Sequence, residues 1–255
     1  MLSDQEVLAA ARRSETALHE QIAQWEPLEF GVAYWASAFP HSAEANQLRD
    51  VWLADVDARS AFQRAEAFYA ERGLTCRAWS PSAAQDVAPV ASFLVDAGWR
   101  PMETLAMGLA DSIGLSTVAA TNVRILPARA MPKAFRQTFR RDEPGEEQST
   151  ELAFERLNDS SLDAFVAMVE GAPAGRIGYL QVGDIARLSD VFVLPRFRRS
   201  GVGRALAGQF MQLARRLSPR VIVACPRAEE EAGAKFLTRI GFRTVGRLTS
   251  FARPT

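Results

Sequence analysis

The chain of 255 residues has few of the side chains on which metal sites, disulfide frameworks and histidine-based catalysis depend. It contains two cysteines, Cys76 and Cys225, and two histidines, His19 and His41. Two cysteines cannot build a disulfide framework or a cysteine-rich zinc site. Two histidines argue against a histidine-dominated metal site and against a Ser-His-Asp triad. We therefore expect no metal cofactor.

An excess of charge of one sign and long apolar runs are also missing. Thirty Lys and Arg residues balance 30 Asp and Glu residues, so the formal net charge is zero. A chain-wide basic surface for nucleic acid or an anionic membrane is excluded, and only a local basic patch stays open. No segment approaches the ~18 apolar residues of a membrane span. The N-terminus carries a helix-capping pattern, residues 3–6, instead of a secretory signal. The sequence predicts a cytoplasmic protein.

Patterns typical of strands and helices alternate along a chain that is 48% apolar. This alternation predicts the α/β class, and the length fits one large domain or two small ones. The stretch over residues 111–121 is small, polar and aperiodic, as in a linker. The predicted domains are therefore residues 1–115 and 122–255. Helices are predicted at residues 4–25, 57–72, 86–97, 132–141, 149–157, 202–217 and 229–240.

The two predicted domains share a sequence pattern. Residues 91–100, Ala-Ser-Phe-Leu-Val-Asp-Ala-Gly-Trp-Arg, align with residues 234–243, Ala-Lys-Phe-Leu-Thr-Arg-Ile-Gly-Phe-Arg. In each, glycine supplies the left-handed residue that ends a helix, and the next aromatic residue enters the core. The order of predicted strands and helices around the two segments is also shared. This predicts a duplicated domain; the alternative is convergence of helix-to-strand turns on a Gly-aromatic pair.

The most informative segment, Arg198-Arg199-Ser200-Gly201-Val202-Gly203, runs from an apolar strand into a strongly amphipathic helix. Glycines let the backbone turn sharply and approach a ligand closely. The first amides of the helix then point into the turn with the positive end of the helix dipole behind them, which makes an anion site. Arg196 and Arg204 add positive charge. The segment lacks both the Gly-Lys-Ser/Thr of a P-loop and the three-glycine dinucleotide fingerprint.

Residues 189–206 resemble the acetyl-CoA-binding segment of the GNAT superfamily of N-acyltransferases. The family signature Arg/Gln-x-x-Gly-x-Gly/Ala is matched by Arg198, Gly201 and Gly203, and residues 236–242 are similar to its later helix and Gly-Phe segment. The resemblance covers residues 122–252. It implies the acyl-CoA N-acyltransferase fold, a mixed central sheet flanked by helices, with a second, degenerate copy in the N-terminal half.

The resemblance also implies acetyl-CoA as cosubstrate and a primary amine, either a small molecule or an amino terminus, as acceptor. The amides from Arg199 to Arg204 would hold the pyrophosphate, and the strand around Val191 and Val193 would pair with the pantetheine arm. A backbone amide there would stabilise the thioester oxyanion. The expected cofactor-binding residues are Val191, Phe192, Val193, Arg198, Arg199, Ser200, Gly201, Val202, Gly203 and Arg204.

Proton transfer requires a further residue, since an alkyl ammonium resembles lysine, with a pKa near ~10.4, and must lose a proton before attack. Asp190 lies on the strand beside the expected thioester and is the candidate catalytic residue. Its alternative role is that of a structural partner for a nearby arginine or loop amide. The tyrosine that the family often uses as general acid is replaced by Leu237, which leaves Tyr179 or Cys225 as substitutes or as packing residues.

The N-terminal copy lacks the anion site. At the offset of the repeat, Gly201 corresponds to Ala58, within a segment that carries acidic residues and no glycine. Carboxylates repel a pyrophosphate, so this half is predicted not to bind CoA. Two other functions stay open for the whole chain. One is an acyl-CoA-binding or sensing protein without catalysis, and the other is a protein that binds nucleic acid or a protein partner through its arginine cluster.

Overall fold

The computed structural model describes residues 2–53, 56–82, 88–109, 122–139 and 146–254. These residues form seven α-helices, two short 3-10 turns and eleven β-strands. The helices are α1 (Asp4–Glu20), α2 (Ala58–Ala70), α3 (Ala88–Asp96), α4 (Pro132–Arg136), α5 (Glu146–Arg156), α6 (Val202–Leu217) and α7 (Glu231–Arg239). The strands are β1 (Gln24–Leu28), β2 (Gly31–Trp35), β3 (Gln47–Val51), β4 (Ala78–Pro81), β5 (Arg100–Leu109), β6 (Val123–Pro127), β7 (Leu162–Val169), β8 (Ala172–Val182), β9 (Ile185–Val193), β10 (Val221–Ala224) and β11 (Phe242–Ala252). The predicted linker, residues 111–121, lies outside the described residues.

The predicted helix start at the N-terminus is confirmed, and the predicted end is wrong. Glu6 N–H donates to Ser3 Oγ at 3.3 Å, and Ser3 N–H donates to Glu6 Oε2 at 2.9 Å, which completes a capping box. The helix ends at Glu20 and not at Trp25. Residues 24–28 instead pair with residues 31–35 as an antiparallel hairpin, because strand pairing satisfies their backbone groups outside the helix.

The chain divides into two compact units, each built from two separate segments of the sequence. Unit 1 consists of residues 1–15 and 105–247, and unit 2 of residues 16–104 and 248–255. Each unit is therefore completed by a terminal segment from the opposite half of the sequence. The boundaries 1–115 and 122–255 of the duplicated domains stay a prediction.

Unit 1 has a mixed sheet in which β10, β9, β8, β7 and β6 follow one another and β5 lies beyond β10. Strands β9 and β10 are parallel, whereas β8 is antiparallel to β9 and β5 is antiparallel to β10. Helix α6 connects β9 to β10 and buries its apolar face on the sheet. Its buried side chains include those at the predicted helical spacing: Val202, Leu206, Phe210 and Leu213.

Unit 2 has a smaller mixed sheet in the order β1, β2, β3, β4 and the end of β11. Strands β3 and β4 are parallel, and helix α2 connects them. The core of this unit is aromatic: Phe62 contacts Trp79 and Trp99 with ring centroids 5.9 and 6.0 Å apart. The tryptophans Trp79 and Trp99 are thus core residues, as is usual for large rings with buried faces.

The order of elements is the same in both halves of the sequence. A strand, a crossover helix, a parallel strand, a helix and a final strand occur as β3-α2-β4-α3-β5 and again as β9-α6-β10-α7-β11. Gly98 and Gly241 follow α3 and α7 with φ of +84° and +101°, the left-handed conformation predicted for both. Among the described residues, no helix has both the length and the apolar composition that a membrane crossing requires.

Candidate active site

Strand β9 carries a bulge at Asp190. Ser189 pairs with Gly178 and Phe192 pairs with Arg176, so that two residues, Asp190 and Val191, lie opposite one residue of β8. Asp190 has φ of +49°. This left-handed conformation is uncommon for a residue other than glycine, and strained residues of this kind cluster at functional sites.

Two glycines of β8 let the bulged strand approach. A Cβ atom on Gly175 would lie 2.5 Å from the Phe192 carbonyl oxygen, and one on Gly178 would collide with Ser189 Oγ. A side chain at Gly175 would push the backbone of β9 away from β8, and one at Gly178 would displace the Ser189 hydroxyl. The bulge geometry therefore depends on both strands.

The second edge of β9 is open beside the bulge. Pairing with β10 runs from Ile185 to Leu188, whereas β9 continues to Val193. Residues 189–193 thus have a strand neighbour on the β8 side alone within the described chain. An open edge of this kind can bind an extended ligand as an additional strand. The predicted binding residues Val191, Phe192 and Val193 all lie on it.

The turn between β9 and α6 presents a row of free backbone amides. Arg199 and Gly201 have left-handed φ of +67° and +89°, and α6 begins at Val202 with Gly201 as its N-cap. The amides of residues 199–204 have no hydrogen-bond partner in the described chain, and the first amide with an intrahelical bond is that of Ala205. Six consecutive free N–H groups at a helix N-terminus form an anion site.

The arginines of the turn have different tasks. Arg196, Arg199 and Arg204 are exposed and form no ion pair with the described residues. Arg198 instead donates from Nε to the Val193 carbonyl oxygen at 3.2 Å, which holds the turn against the end of β9. Ser200 Oγ donates to the Phe197 carbonyl oxygen at 2.6 Å. The turn is therefore held from within, and its positive charge faces solvent.

Gly203 joins the turn to the rest of the site. A Cβ atom there would lie 3.2 Å from Phe236 Cε2 of α7 and 3.7 Å from Val193 Cγ2 of β9. The second glycine of the motif thus permits the start of α6 to pack closely against both elements. This brings the turn, the end of β9 and the segment around Phe236 together.

Asp190 forms an ion pair that the sequence did not identify. Arg176 Nε donates to Asp190 Oδ2 at 2.7 Å, and the side chains are 11% and 40% exposed, respectively. The other oxygen, Oδ1, has no partner within the described chain. An arginine partner is one of the two roles predicted for Asp190, although the sequence does not identify Arg176 as that arginine. Arg176 is a charged residue in a mainly apolar strand between two glycines, and this pattern was the available signal.

Residues 129–242 match the family model described as the Acetyltransferase (GNAT) family. This range includes the bulge, the open edge and the amide row. The C-terminal half of the chain contains a GNAT acetyltransferase domain. The matched residues thus form an acetyltransferase domain of a family that uses acetyl-CoA.

Solved structures of similar fold cover most of the chain. A functionally unknown conserved protein from Staphylococcus epidermidis is 12% identical, with a TM-score of 0.69 over 89% of this chain and 91% of its own. A GCN5-related N-acetyltransferase from Kribbella flavida is 13% identical, with a TM-score of 0.64 over 96% of both chains. A tandem GNAT protein from the clavulanic acid biosynthesis pathway is 14% identical, with a TM-score of 0.60 over 89% of this chain and 80% of its own. These likenesses show the fold. No curated protein matches the chain in sequence.

Neither Tyr179 nor Cys225 is suited to replace the family tyrosine as the group that protonates the leaving thiolate. Leu237, at the position of the family tyrosine, is 4% exposed and belongs to the core. Tyr179 is also a core residue: it donates to Gln181 Oε1 at 2.6 Å, and burial raises the pKa of its hydroxyl. Burial raises the pKa of the Cys225 thiol to about 12. The leaving thiol of CoA, with a pKa near the usual ~8.5, is a stronger acid than either of these groups and leaves readily as the thiolate.

Both cysteines are expected to be unreactive in the native protein. Burial raises the pKa of Cys76, like that of Cys225, to about 12, so the nucleophilic thiolate is scarce at pH 8. We expect less than about 0.1 equivalent of thiol to react with Ellman's reagent within ten minutes at pH 8, and about two equivalents after denaturation. Rapid reaction of one equivalent in the native protein would contradict this.

Unit 2 repeats the bulge but not the anion site. Asp50 has φ of +50° and is followed by Val51 and Trp52, as Asp190 is followed by valine and phenylalanine. Twelve residues lead from Asp190 to the start of α6 at Val202, whereas eight lead from Asp50 to the start of α2 at Ala58. The turn that carries the amide row in the GNAT domain is therefore shorter in this copy.

The start of α2 is occupied by a side chain of the protein itself. Asp57 is the N-cap, and its carboxylate accepts from Ser60 N–H at 3.0 Å. By N-cap position Gly201 corresponds to Asp57, and not to Ala58 as the constant offset of the repeat predicted, because the connecting turns differ in length. The Asp57 carboxylate already satisfies an amide of this helix and would repel a diphosphate. Asp55 lies outside the described residues.

We therefore expect one CoA per chain. Isothermal titration with CoA should give a stoichiometry near one for the wild-type protein, because unit 2 lacks the long turn and the Asp57 carboxylate caps the start of α2. The variant Asp57→Ala should also bind one equivalent, since removal of the cap does not restore the missing turn. A second equivalent in the wild-type protein would show that unit 2 binds coenzyme.

The described residues contain no group of three or more His, Cys, Asp or Glu side chains that could hold a metal ion. The groups that the site does offer are backbone amides, arginines and the Asp190 carboxylate. These groups bind anions and accept protons, and they suit acyl transfer from an anionic coenzyme.

Proposed function

We propose that the protein transfers the acetyl group of acetyl-CoA to a primary amine, of a small molecule or an amino terminus, by direct attack of the amine on the thioester. The observation that carries this proposal is the row of six free amides at residues 199–204, which lies beside the open edge of β9. A diphosphate and an extended amide-containing arm are the two parts of CoA that such a pair of features would bind.

The residues fit the coenzyme in shape and charge. The free amides and the N-terminus of α6 would hold the diphosphate, and the exposed Arg196, Arg199 and Arg204 would neutralise it. Val191 and Val193 lie on the edge where the pantetheine arm would add as a strand. The bulge at Asp190 interrupts the regular ladder at this point, and a backbone amide beside it would stabilise the thioester oxyanion.

The bound acetyl-CoA supplies an electrophilic thioester carbon and a thiolate leaving group. An ammonium acceptor first releases one proton to solvent. The neutral amine nitrogen then forms a bond with that carbon, the carbon–sulfur bond breaks with release of the thiolate, and the nitrogen loses one more proton. We assign this proton to Asp190, whose Oδ1 has no hydrogen-bond partner among the described residues and can accept it directly or through a water molecule. Direct attack is favoured over an acyl-cysteine intermediate because both thiols have a pKa of about 12.

The second candidate is an acyl-CoA-binding or sensing protein without catalysis. The replacement of the family tyrosine by the buried Leu237 favours it, since no phenol stands in α7 to protonate the leaving thiolate. Against it, a thiolate whose conjugate thiol has a pKa near ~8.5 leaves without such help.

Two free cysteines fit the reducing conditions of the cytoplasm, where we place the reaction.

A two-stage experiment tests the proposal. A thermal-shift screen with acetyl-CoA and longer acyl-CoAs should raise the melting temperature, and thiol release against pooled primary amines should then identify an acceptor. Stabilisation without thiol release for any amine would favour the binding protein. Binding of nucleic acid that collapses with added salt, without any response to CoA, would favour the third function, recognition of phosphates by the arginine cluster.

A further inference from the structure

We infer that Arg176 is a positioning residue for the reaction and fixes the proton-accepting carboxylate of Asp190. This inference rests on the proposed function, in which Asp190 accepts the proton of the amine. Arg176 itself is not placed in contact with the substrate, and it acts through the side chain that it holds.

The contacts of Arg176 show why its side chain holds Asp190 in one orientation. Its Nε donates to Asp190 Oδ2 at 2.7 Å, and its Nη1 donates to the Thr138 carbonyl oxygen at 2.6 Å. The guanidinium carbon lies 3.7 Å from the centre of the Phe139 ring and 4.9 Å from that of Phe192. The planar guanidinium is thus fixed by two hydrogen bonds and two aromatic rings, and Asp190 is bonded to a group that cannot rotate freely.

The pairing also selects which carboxylate oxygen is available. Arg176 occupies Oδ2, and the arginine side chain is 11% exposed whereas that of the aspartate is 40% exposed. Oδ1 has no hydrogen-bond partner among the residues that the structure describes. A carboxylate with one oxygen fixed by an arginine and the other open has a defined direction for accepting a proton.

The repeated bulge in unit 2 separates this role from a role in building the backbone. Trp52 N–H donates to the Phe30 carbonyl oxygen at 3.0 Å. Phe30 therefore lies opposite Trp52 in unit 2, in the position that Arg176 occupies opposite Phe192 in the GNAT domain. Asp50 adopts φ of +50° in that copy, close to the +49° of Asp190. The bulge with a left-handed aspartate therefore forms without an arginine opposite it. The arginine is present in the copy that also has the amide row, and this association points to the reaction.

The arginine also joins two parts of the GNAT domain. Thr138 and Phe139 follow α4, whereas Asp190 and Phe192 belong to the bulged strand. One side chain bonds or contacts all four residues, so its loss would release the carboxylate and the segment after α4 together. Lysine can pair with Asp190, but it lacks the planar fork that reaches the Thr138 carbonyl oxygen at the same time.

The test compares Arg176→Ala, Arg176→Lys and Asp190→Asn with the double variant Arg176→Ala/Asp190→Asn. We expect Arg176→Ala to lower kcat 10- to 100-fold, with KM for acetyl-CoA and the thermal shift by CoA within twofold of wild type. Arg176→Lys should recover part of kcat. The double variant should be no slower than Asp190→Asn alone, because removal of the carboxylate leaves the arginine nothing to position.

Two further variants control for folding. Arg129→Ala removes another arginine of unit 1 that pairs with a carboxylate, that of Asp163 at 3.5 Å, and donates to backbone carbonyl oxygens. It should lower the melting temperature without a change in kcat. If Arg176→Ala does not fold, Arg176→Met keeps an unbranched stem between the two phenylalanine rings and replaces it in the cycle.

The outcomes are distinct. Multiplicative losses in the double variant, or a kcat of Arg176→Ala within threefold of wild type, would overturn the positioning role while the proposed function stands. A wild-type protein that is stabilised by CoA but releases no thiol with any amine would overturn the proposed function and, with it, the role of Arg176. A crystal structure of Arg176→Ala should show Asp190 in a changed rotamer; an unchanged rotamer would also count against the inference.

Discussion

Replacement of Gly201 by aspartate is expected to weaken CoA binding at least 100-fold, about 2.7 kcal/mol or more, and to abolish the thermal stabilisation by acetyl-CoA. Gly201 has φ of +89° and is the N-cap of α6. A side chain in this conformation costs about 1–2 kcal/mol and moves the adjacent amides. The added carboxylate would also accept from these amides and repel the diphosphate, as Asp57 is placed to do in unit 2.

Gly183→Asp is the matched control for backbone strain. Gly183 has φ of +57° in the exposed turn between β8 and β9, at the opposite end of these strands from Gly175 and Val193. The same substitution should lower the melting temperature by a similar amount and leave the affinity for CoA within twofold. Equal losses of CoA affinity in the two variants, measured by isothermal titration, would disprove the role of the amide row.

Replacement of Asp190 by asparagine is expected to lower kcat about 100-fold or more, within the range typical of a general base. Asparagine can still accept from Arg176 through its side-chain oxygen, so the orientation of the group is kept while its capacity to accept a proton is lost. The affinity for acetyl-CoA should stay within twofold. Stability should change by less than about 1 kcal/mol, because the carboxylate is 40% exposed.

The duplicated bulge supplies the control for this variant. Asp50→Asn makes the same change at a left-handed aspartate followed by valine and an aromatic residue, in the unit without the amide row. Steady-state thiol-release kinetics should show an unchanged kcat for Asp50→Asn. Full activity of Asp190→Asn would remove the proton-accepting role and leave Asp190 as the ion-pair partner of Arg176.

The elements of the fold that local sequence determines were predicted well. Helix α6 occupies the predicted residues, because apolar residues at helical spacing leave few alternatives. The glycines that end α3 and α7 were also identified, since the left-handed conformation favours glycine. The prediction was wrong where strand pairing decides the end of a helix: α1 ends five residues earlier than predicted because residues 24–28 pair with β2.

The candidate site was predicted in part for the same reason. The motif from Arg198 to Gly203 identified the turn, since its glycines and its place between strand and helix are local properties. The pair of Arg176 and Asp190 was not predicted, because the two residues lie fourteen positions apart and meet through the register of β8 and β9. That register depends on Gly175 and Gly178, which leave room for the Phe192 carbonyl oxygen and the Ser189 hydroxyl of β9. These contacts exist only once the two strands have paired.

The sequence by itself determined the class of the protein, its helices and the glycine turn that identifies the acetyltransferase domain. These features follow from backbone preferences and from apolar spacing within single segments. The tertiary structure decided which segments complete each unit, which edge of β9 stays open and which arginine holds Asp190. Such features depend on contacts between segments far apart in the chain, and no local preference encodes them.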